Sequence, residues 1–298
     1  MSASPFAPAQ LHHLADLVRR RSGLHLAVDQ GARIASKLQP VAMRFGFREL
    51  GALLGELEDE PEELSRAVVE AMATHETSFF RDPAVFAFLR NTVLPELMAA
   101  RLVPRRLRIW CAAASTGQEA YSLAMLLDDA GLFAQGWKID LFVSDFSRDA
   151  VMRINEGAYS DYELGRGLPA SLRARYCVPS EGGRWHMVDG LRRRLRVHCF
   201  NLLDSLGWLG ELDLILCRNA LLYFAPDIRS ETLARMTGAL ADDGFLVLGA
   251  SETPADARFY LPLATAPRGI FSKNPRADAP DRLTLPGARH QPFQRMPA

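Results

Sequence analysis

An apolar run from Leu107 to Cys111 ends in small residues, Ala112 to Gly117, and a helical period follows at once at Ala120, Leu123, Ala124, Leu126 and Leu127. That order predicts a strand, a tight loop and a helix, the opening unit of a nucleotide-type α/β site. The rhythm returns three times. Lys138 to Ser144 is a second apolar strand closed by Asp145, with a helical segment from Arg148 to Asn155. Leu212 to Cys217 is a third, ending in Arg218-Asn-Ala-Leu-Leu-Tyr-Phe224 and followed by a helix from Ile228 to Leu240 and a turn at Asp242-Asp243-Gly244. Phe245 to Gly249 is a fourth, ending in Ala250-Ser-Glu252. Polar residues at the carboxyl ends of buried strands lie where open α/β sheets bind ligands.

The flanks follow other periods. Residues 10–72 predict an all-helical domain, with one stripe at Leu11, Leu14, Leu17 and Val18, another at Leu50, Leu53, Leu54 and Leu57, and breaks at Gly23 and Gly46. Asp82-Pro83 predicts a helix start, Asp82 as N-cap, with the helix running from Ala84 to Leu97 and Pro95 tightening or ending it. Residues 157–200 interrupt the α/β rhythm of 73–273. There Arg184 to Val188 and Leu191 to Phe200 predict antiparallel strands joined by Asp189-Gly190, a small β-subdomain. Residues 259–273 predict a closing hairpin. Residues 1–9 predict a flexible start and 274–298, rich in Pro, Arg and Gln, a disordered tail.

The first loop argues against a phosphate ligand. It carries one glycine, Gly117, and neither a G-x-G-x-x-G run nor a Gly-Lys-Ser/Thr. It places Glu119 in the first helical turn, where a carboxylate repels a pyrophosphate and suits a cationic amine. Asp145 suits a ribose diol, since its oxygens can accept both hydroxyl hydrogens; it could equally cap the next helix, as could Ser147.

Composition narrows the classes further. The 298 residues are 48% hydrophobic with a net charge of zero, so no global field recruits nucleic acid. Four cysteines show no C-x-x-C spacing, and the seven histidines are scattered, which argues against a metal site. Cys111 and Cys217, ending apolar strands, are expected as buried thiols. No apolar run reaches the ~18 residues of a membrane span and no signal peptide is evident, so a cytoplasmic protein is expected. Charge is polarised in the helical region: Arg19 to Arg48 holds seven basic residues and one acid, Glu49 to Glu70 eight acids and one base. That fits either helix faces of opposite sign packing together or a partner site.

Four blocks together resemble the chemotaxis receptor methyltransferases, the CheR-type protein-glutamate O-methyltransferases. They are Thr74-His-Glu-Thr-Ser-Phe-Phe-Arg81, Trp110-Cys-Ala-Ala-Ala-Ser-Thr-Gly-Gln-Glu-Ala-Tyr-Ser122, Cys217-Arg-Asn-Ala-Leu-Leu-Tyr-Phe224 and Leu248-Gly-Ala-Ser-Glu252, in family order, and the resemblance runs from about residue 10 to 273. It implies a Rossmann-like class I methyltransferase sheet with an N-terminal helical domain and an inserted β-subdomain, and S-adenosyl-L-methionine (AdoMet) as cofactor, leaving S-adenosyl-L-homocysteine (AdoHcy). By resemblance, Arg81 pairs with the methionyl carboxylate, Glu119 with the ammonium and Asp145 with the ribose. Asn201 and Leu202 touch the adenine, Arg218 and Asn219 close the pocket beside the sulfonium, and Thr77 lines it.

Departures from the family pattern are His75 where Asn is common, Gln118 for the first of a Glu pair, Ser147 for a second acid and Ala250 where His is frequent. The resemblance further implies glutamate acceptors on the cytoplasmic domain of a methyl-accepting chemoreceptor, met by basic residues of one N-terminal helix, with Arg33, Lys37, Arg44 and Arg48 the candidates. No membrane insertion is expected, and the protein is expected to be a monomer. The loop from Pro179 to Arg184 is short beside members that grip a receptor C-terminal peptide, so a tether-independent enzyme is expected. A carboxylate acceptor needs no general base, so Arg218, Asn219 and Tyr223 are expected to shape the site. The alternative is a catalytically impaired AdoMet- or AdoHcy-binding regulatory module in which His75 spoils transfer. A nicotinamide oxidoreductase lacks its glycine fingerprint.

Overall fold

The computed structural model describes residues 6–254, 258–263 and 265–274; the expected C-terminal tail, Asn274 apart, lies outside them. Four helices come first: α1 (Pro8–Ser22), α2 (Gly31–Phe45), α3 (Leu50–Glu56) and α4 (Glu62–Met72). Their stripes meet in one core, where Leu14, Leu17, Leu38, Leu53, Leu57 and Val68 are fully buried. Burial of six such side chains is worth on the order of 10 kcal/mol gross. The ion pairs Arg20–Glu60 and Arg21–Glu62, at 2.5 and 2.6 Å and solvent-exposed, add at most about 1 kcal/mol each. The apolar stripes therefore supply the stability. The start of the chain differs from expectation. Phe6 is buried in this core and the helix begins at Pro8, because an aromatic so placed gains more by packing than by solvation.

The second part begins with α5 (Pro83–Phe88), a π turn (Leu89–Val93) and α6 (Leu94–Ala100). This is the helix expected from Ala84 to Leu97, with Pro95 tightening or ending it. The register change of the π turn absorbs the proline, and the helix continues to Ala100. Asp82 does not cap it: its φ of +58° is left-handed and its side chain makes no capping bond.

Then follow β1 (Arg106–Ala112), α7 (Gln118–Asp129), β2 (Lys138–Asp145), α8 (Arg148–Glu156), β3 (Ala158–Ser160), α9 (Asp161–Gly165), α10 (Ala170–Tyr176), β4 (Cys177–Pro179), β5 (Arg184–Met187), α11 (Asp189–Arg192) and β6 (Leu195–Cys199). The chain closes with β7 (Leu212–Cys217), α12 (Pro226–Ala239), β8 (Leu240–Leu248), β9 (Tyr260–Pro262) and β10 (Ile270–Lys273).

Seven strands form the main sheet in the order β6-β2-β1-β7-β8-β10-β9. The first five run parallel, β10 is antiparallel to β8, and β9 is antiparallel to β10. The chain winds outward from β1 through β2 to β6, then returns to start β7 on the other side of β1. The order reverses between β1 and β7, and a ligand crevice forms at the carboxyl ends of strands at such a point.

Two local readings are corrected. Leu191 to Phe200 is not the return strand of a hairpin. Asp189–Arg192 is one helical turn that buries Leu191 in the main core, and Leu195–Cys199 pairs parallel with β2. The inserted sheet is β3-β5-β4 alone. The Asp242-Asp243-Gly244 turn is absorbed into β8 as a register shift between the Leu212 and Leu214 pairs. Asp242 is held by Lys273 at 2.9 Å and Asp243 by Arg101 at 2.5 Å.

The helical domain docks on the carboxyl edge of the sheet. The His25 N–H donates to the Tyr223 carbonyl at 2.7 Å, the Ala225 N–H to the Gly23 carbonyl at 2.9 Å, and Glu70 accepts from Ser147 Oγ at 3.2 Å. Among the described residues no helix is long and apolar enough to cross a membrane.

Candidate active site

The crevice predicted by the strand order is a cleft of about 850 Å³, part of it open to solvent. His75, Thr77, Arg81, Glu119, Asp145, Asn201, Leu202, Arg218, Asn219 and Tyr223 all line it. The helical domain adds Ser22 and Leu24, so the cleft closes only when both parts of the chain are in place.

The floor is the loop after β1. Ala113, Ser115 and Gly117 take positive φ values of 49°, 53° and 96°, a concentration of left-handed backbone typical of ligand sites. Only Gly117 is required to be glycine for space. A Cβ there would meet Tyr159 Oη at 2.9 Å and Ile154 Cγ1 at 3.0 Å, on the side of the helix packing. Tyr159 supports the loop further by donating to the Thr116 carbonyl at 2.8 Å.

Asp145 ends β2 and is 4% exposed. One oxygen accepts the Ser115 N–H at 2.8 Å, the other the Ser147 N–H at 3.0 Å. The helix cap proper is Ser147, whose Oγ accepts from the Ala150 N–H at 3.2 Å. Each Asp145 oxygen keeps a further lone pair for the cleft. Burial pushes this carboxyl above its ordinary value, against the pull of the backbone N–H groups and of His75.

Glu119, in the first turn of α7, is buried and faces Arg218, whose Nη1 donates to its Oε2 at 2.6 Å. Burial raises its pKa too, opposed chiefly by Arg218. The neighbouring thiols of Cys111 and Cys217 are fully buried and pushed well above the usual range by desolvation.

Arg81 closes the segment from Thr74. Its Nη1 donates to the Glu76 carbonyl at 3.1 Å. The segment is fixed from behind, where the Phe80 N–H donates to Ser122 Oγ at 2.9 Å and Phe79 packs edge-on against Tyr159. Gly167 lies so close that any Cβ there would run into the Phe79 carbonyl.

Asn201 follows β6 with its side chain already engaged: Nδ2 donates to the Arg21 carbonyl at 2.6 Å, and Oδ1 accepts the Leu203 N–H at 3.1 Å. Leu202 beside it is buried and apolar. Asn219, after β7, has a φ of +56°. Tyr223 stands half-exposed at the mouth.

The four basic candidates of the helical domain do not act as one set. Arg33 and Lys37 border a second cavity that shares Leu24, Thr74 and Tyr223 with the main cleft. Arg44 lies on the same helix but outside that cavity, and Arg48 follows the end of α2. Lys37 is engaged internally, its Nζ donating to the Met72 and Ala73 carbonyls at 2.7 Å each, and burial lowers its pKa.

Three interactions lay outside the sequence reading. The Ser115 N–H anchors Asp145, Asp82 pairs with Arg218, and Glu252 accepts three backbone N–H groups around Asn219. Ser115 and Glu252 left a trace as members of the Trp110-to-Ser122 and Leu248-to-Glu252 blocks, and Asp82 as the expected cap.

The lining suits a molecule with a zwitterionic end and a diol. Guanidinium and carboxylates face one hollow, and Ser115 Oγ, Arg218 Nε and Asn219 Oδ1, on cleft-lining residues, are buried with no hydrogen-bond partner in the protein. Fold and site together define an AdoMet-binding methyltransferase. Residues 75–269 match the family described as CheR methyltransferase, SAM binding domain, and the chain belongs to that family. It is 35% identical to chemotaxis protein methyltransferase 1 of Pseudomonas aeruginosa over 240 residues, covering 79% of this chain and 86% of that protein. It is 35% identical to chemotaxis protein methyltransferase Cher2 of Pseudomonas putida over 242 residues (79% and 86%), and 32% identical to the chemotaxis protein methyltransferase of Vibrio parahaemolyticus over 256 residues (85% and 92%). AdoMet is its cofactor.

Proposed function

We propose that this methyltransferase esterifies glutamate side chains on the cytoplasmic domain of a chemoreceptor-like protein, working in the cytoplasm. The observation that carries this reading is the convergence of Arg81, Glu119 and Asp145 on one cleft, one wall of which belongs to the helical domain. When bound, AdoMet supplies a methyl group already activated by its sulfonium.

The residues of the chain bind and orient. Arg81 offers a two-pronged donor to the methionyl carboxylate. Glu119 meets the ammonium while sharing its charge with Arg218. Asp145, held by two backbone N–H groups, accepts from the ribose hydroxyls. Leu202 and the backbone at Asn201 border the adenine. Thr77 lines the cavity, and Arg218, Asn219 and Tyr223 shape the end at which the acceptor enters.

The acceptor carboxylate, with an ordinary pKa of about 4.3, is ionised at neutral pH and needs no proton removed. Catalysis then rests on placement and exclusion of water. His75 in its neutral form still donates one hydrogen bond where the family commonly has Asn.

The test is incubation with AdoMet and receptor cytoplasmic fragments, followed by mass spectrometry for base-labile methyl esters on glutamate. AdoMet binding without ester formation on any fragment would favour the regulatory module, the reading for which the His75 replacement speaks.

A further inference from the structure

Arg218 holds two carboxylates at once. Its Nη1 donates to Glu119 Oε2 and its Nη2 to Asp82 Oδ2, both at 2.6 Å, and its side chain is 1% exposed. Asp82 stands immediately before Pro83 and α5, in left-handed backbone. An N-cap takes extended backbone and turns its oxygen toward the helix N–H groups. Asp82 does neither, so helix initiation does not account for it.

The charges around the cleft can be counted. Arg81 and Arg218 are positive; Glu76, Glu119 and Asp145, which line the cleft, and Asp82, which reaches it through Arg218, are negative when ionised. AdoMet carries a sulfonium, an ammonium and a carboxylate and is a net cation. AdoHcy lacks the sulfonium charge and is neutral overall. With Asp82 in place the six side chains sum to two negative charges, which favours the cation. Without it one negative charge is left, and Arg218 has Glu119 as its one remaining carboxylate.

We propose that Asp82 is a positioning residue that divides Arg218 between two carboxylates, so that Glu119 keeps charge for the donor's ammonium and the cationic donor gains affinity relative to its neutral product. This rests on the reading that the cleft holds AdoMet. Loss of Asp82 acts in two parts. Cancellation of Glu119 weakens both ligands, and the missing negative charge weakens AdoMet alone. Asp82 is about half-exposed, so screening keeps the second part to several-fold.

The experiment is calorimetric titration of the full chain with AdoMet and AdoHcy, using Asp82→Asn, Asp82→Gly and Asp82→Glu. Asn and Gly both tolerate left-handed backbone, so the two neutral variants test the charge with different side chains. Each is expected to shift the ratio of AdoMet to AdoHcy affinity against AdoMet by roughly 3- to 10-fold, less at high salt. Glu is expected to restore the parental ratio. Equal losses for both ligands, or none, would overturn the proposal and leave Asp82 as a brace for the Arg81 segment. A parent chain that bound neither ligand would instead overturn the reading of the cleft itself.

Discussion

Glu252 accepts the backbone N–H of Asn219 at 2.7 Å and so holds in left-handed conformation a residue 33 positions earlier in the chain. The same carboxylate accepts the N–H of Gly249 at 2.6 Å and of Leu222 at 2.9 Å. One buried side chain thus ties the end of β8 to the turn that presents Asn219 and Tyr223 to the cleft.

Replacing Glu252 by Ala leaves three backbone donors without their acceptor. A loss of roughly 2–4 kcal/mol is expected, and about half that for Glu252→Gln, which keeps one carbonyl oxygen. Denaturant unfolding measures both. An Ala variant as stable as the parent would show that the turn holds itself.

Asp145→Ala removes the ribose partner and also orphans the N–H groups of Ser115 and Ser147. The cleaner variant is Asp145→Asn, which keeps one acceptor. AdoHcy affinity is expected to drop on the order of ten-fold or more, with about 1 kcal/mol lost in stability. Unchanged affinity in a folded Asn variant contradicts the diol assignment.

Arg81→Ala is expected to weaken AdoHcy binding more than Arg81→Lys. Both lose the two-pronged donor, but only Ala loses the charge. Titration of the two variants side by side decides it, and equal losses would mean that geometry alone matters.

Burial holds Glu119 and Asp145 above ordinary carboxylate values. An acid raised in the folded state binds its proton more readily folded than unfolded. These two groups therefore favour the fold as pH drops into the window above ordinary carboxylate values, and that contribution is lost as pH rises through the folded value. Ligand binding runs the other way, because the ammonium and the diol call for ionised carboxylates. The melting shift produced by AdoHcy should shrink from neutral pH toward about pH 5, and binding should release protons. A shift of constant size over that range speaks against both assignments.

Arg33 and Arg44 are exposed on α2, whereas Lys37 is engaged with backbone carbonyls. Arg33→Glu and Arg44→Glu are each expected to raise the apparent KM for receptor fragments several-fold while AdoHcy affinity stays at the parental value. Lys37→Ala is expected to lower the melting temperature instead. Receptor methylation indifferent to both reversals would place acceptor docking elsewhere.

The strands around the cleft were legible because each is an apolar run with a sharp end, in the small residues after Leu107–Cys111 and in Asp145 after Lys138–Ser144. Leu195–Cys199 was not, since its apolar-polar alternation fits an edge strand of either sheet. Only the parallel pairing with Leu141–Asp145 settles which. Asp82 was misread for a related reason. Before proline, an aspartate has a strong local role as a cap, and the competing partner, Arg218, lies 136 residues away.

Periodicity and spacing by themselves determined that this is a winding α/β sheet behind a helical domain, and the four motif blocks determined its family and donor. Hydrophobic period and residue type are local properties, and burial acts on them alike in any context. What only the tertiary structure decided is how charges are shared: Arg218 between Glu119 and Asp82, Glu252 among three backbone groups, Lys37 withdrawn from the surface. Such pairings depend on distances between segments far apart in the chain, and electrostatic energy is set by those distances and by the burial around them.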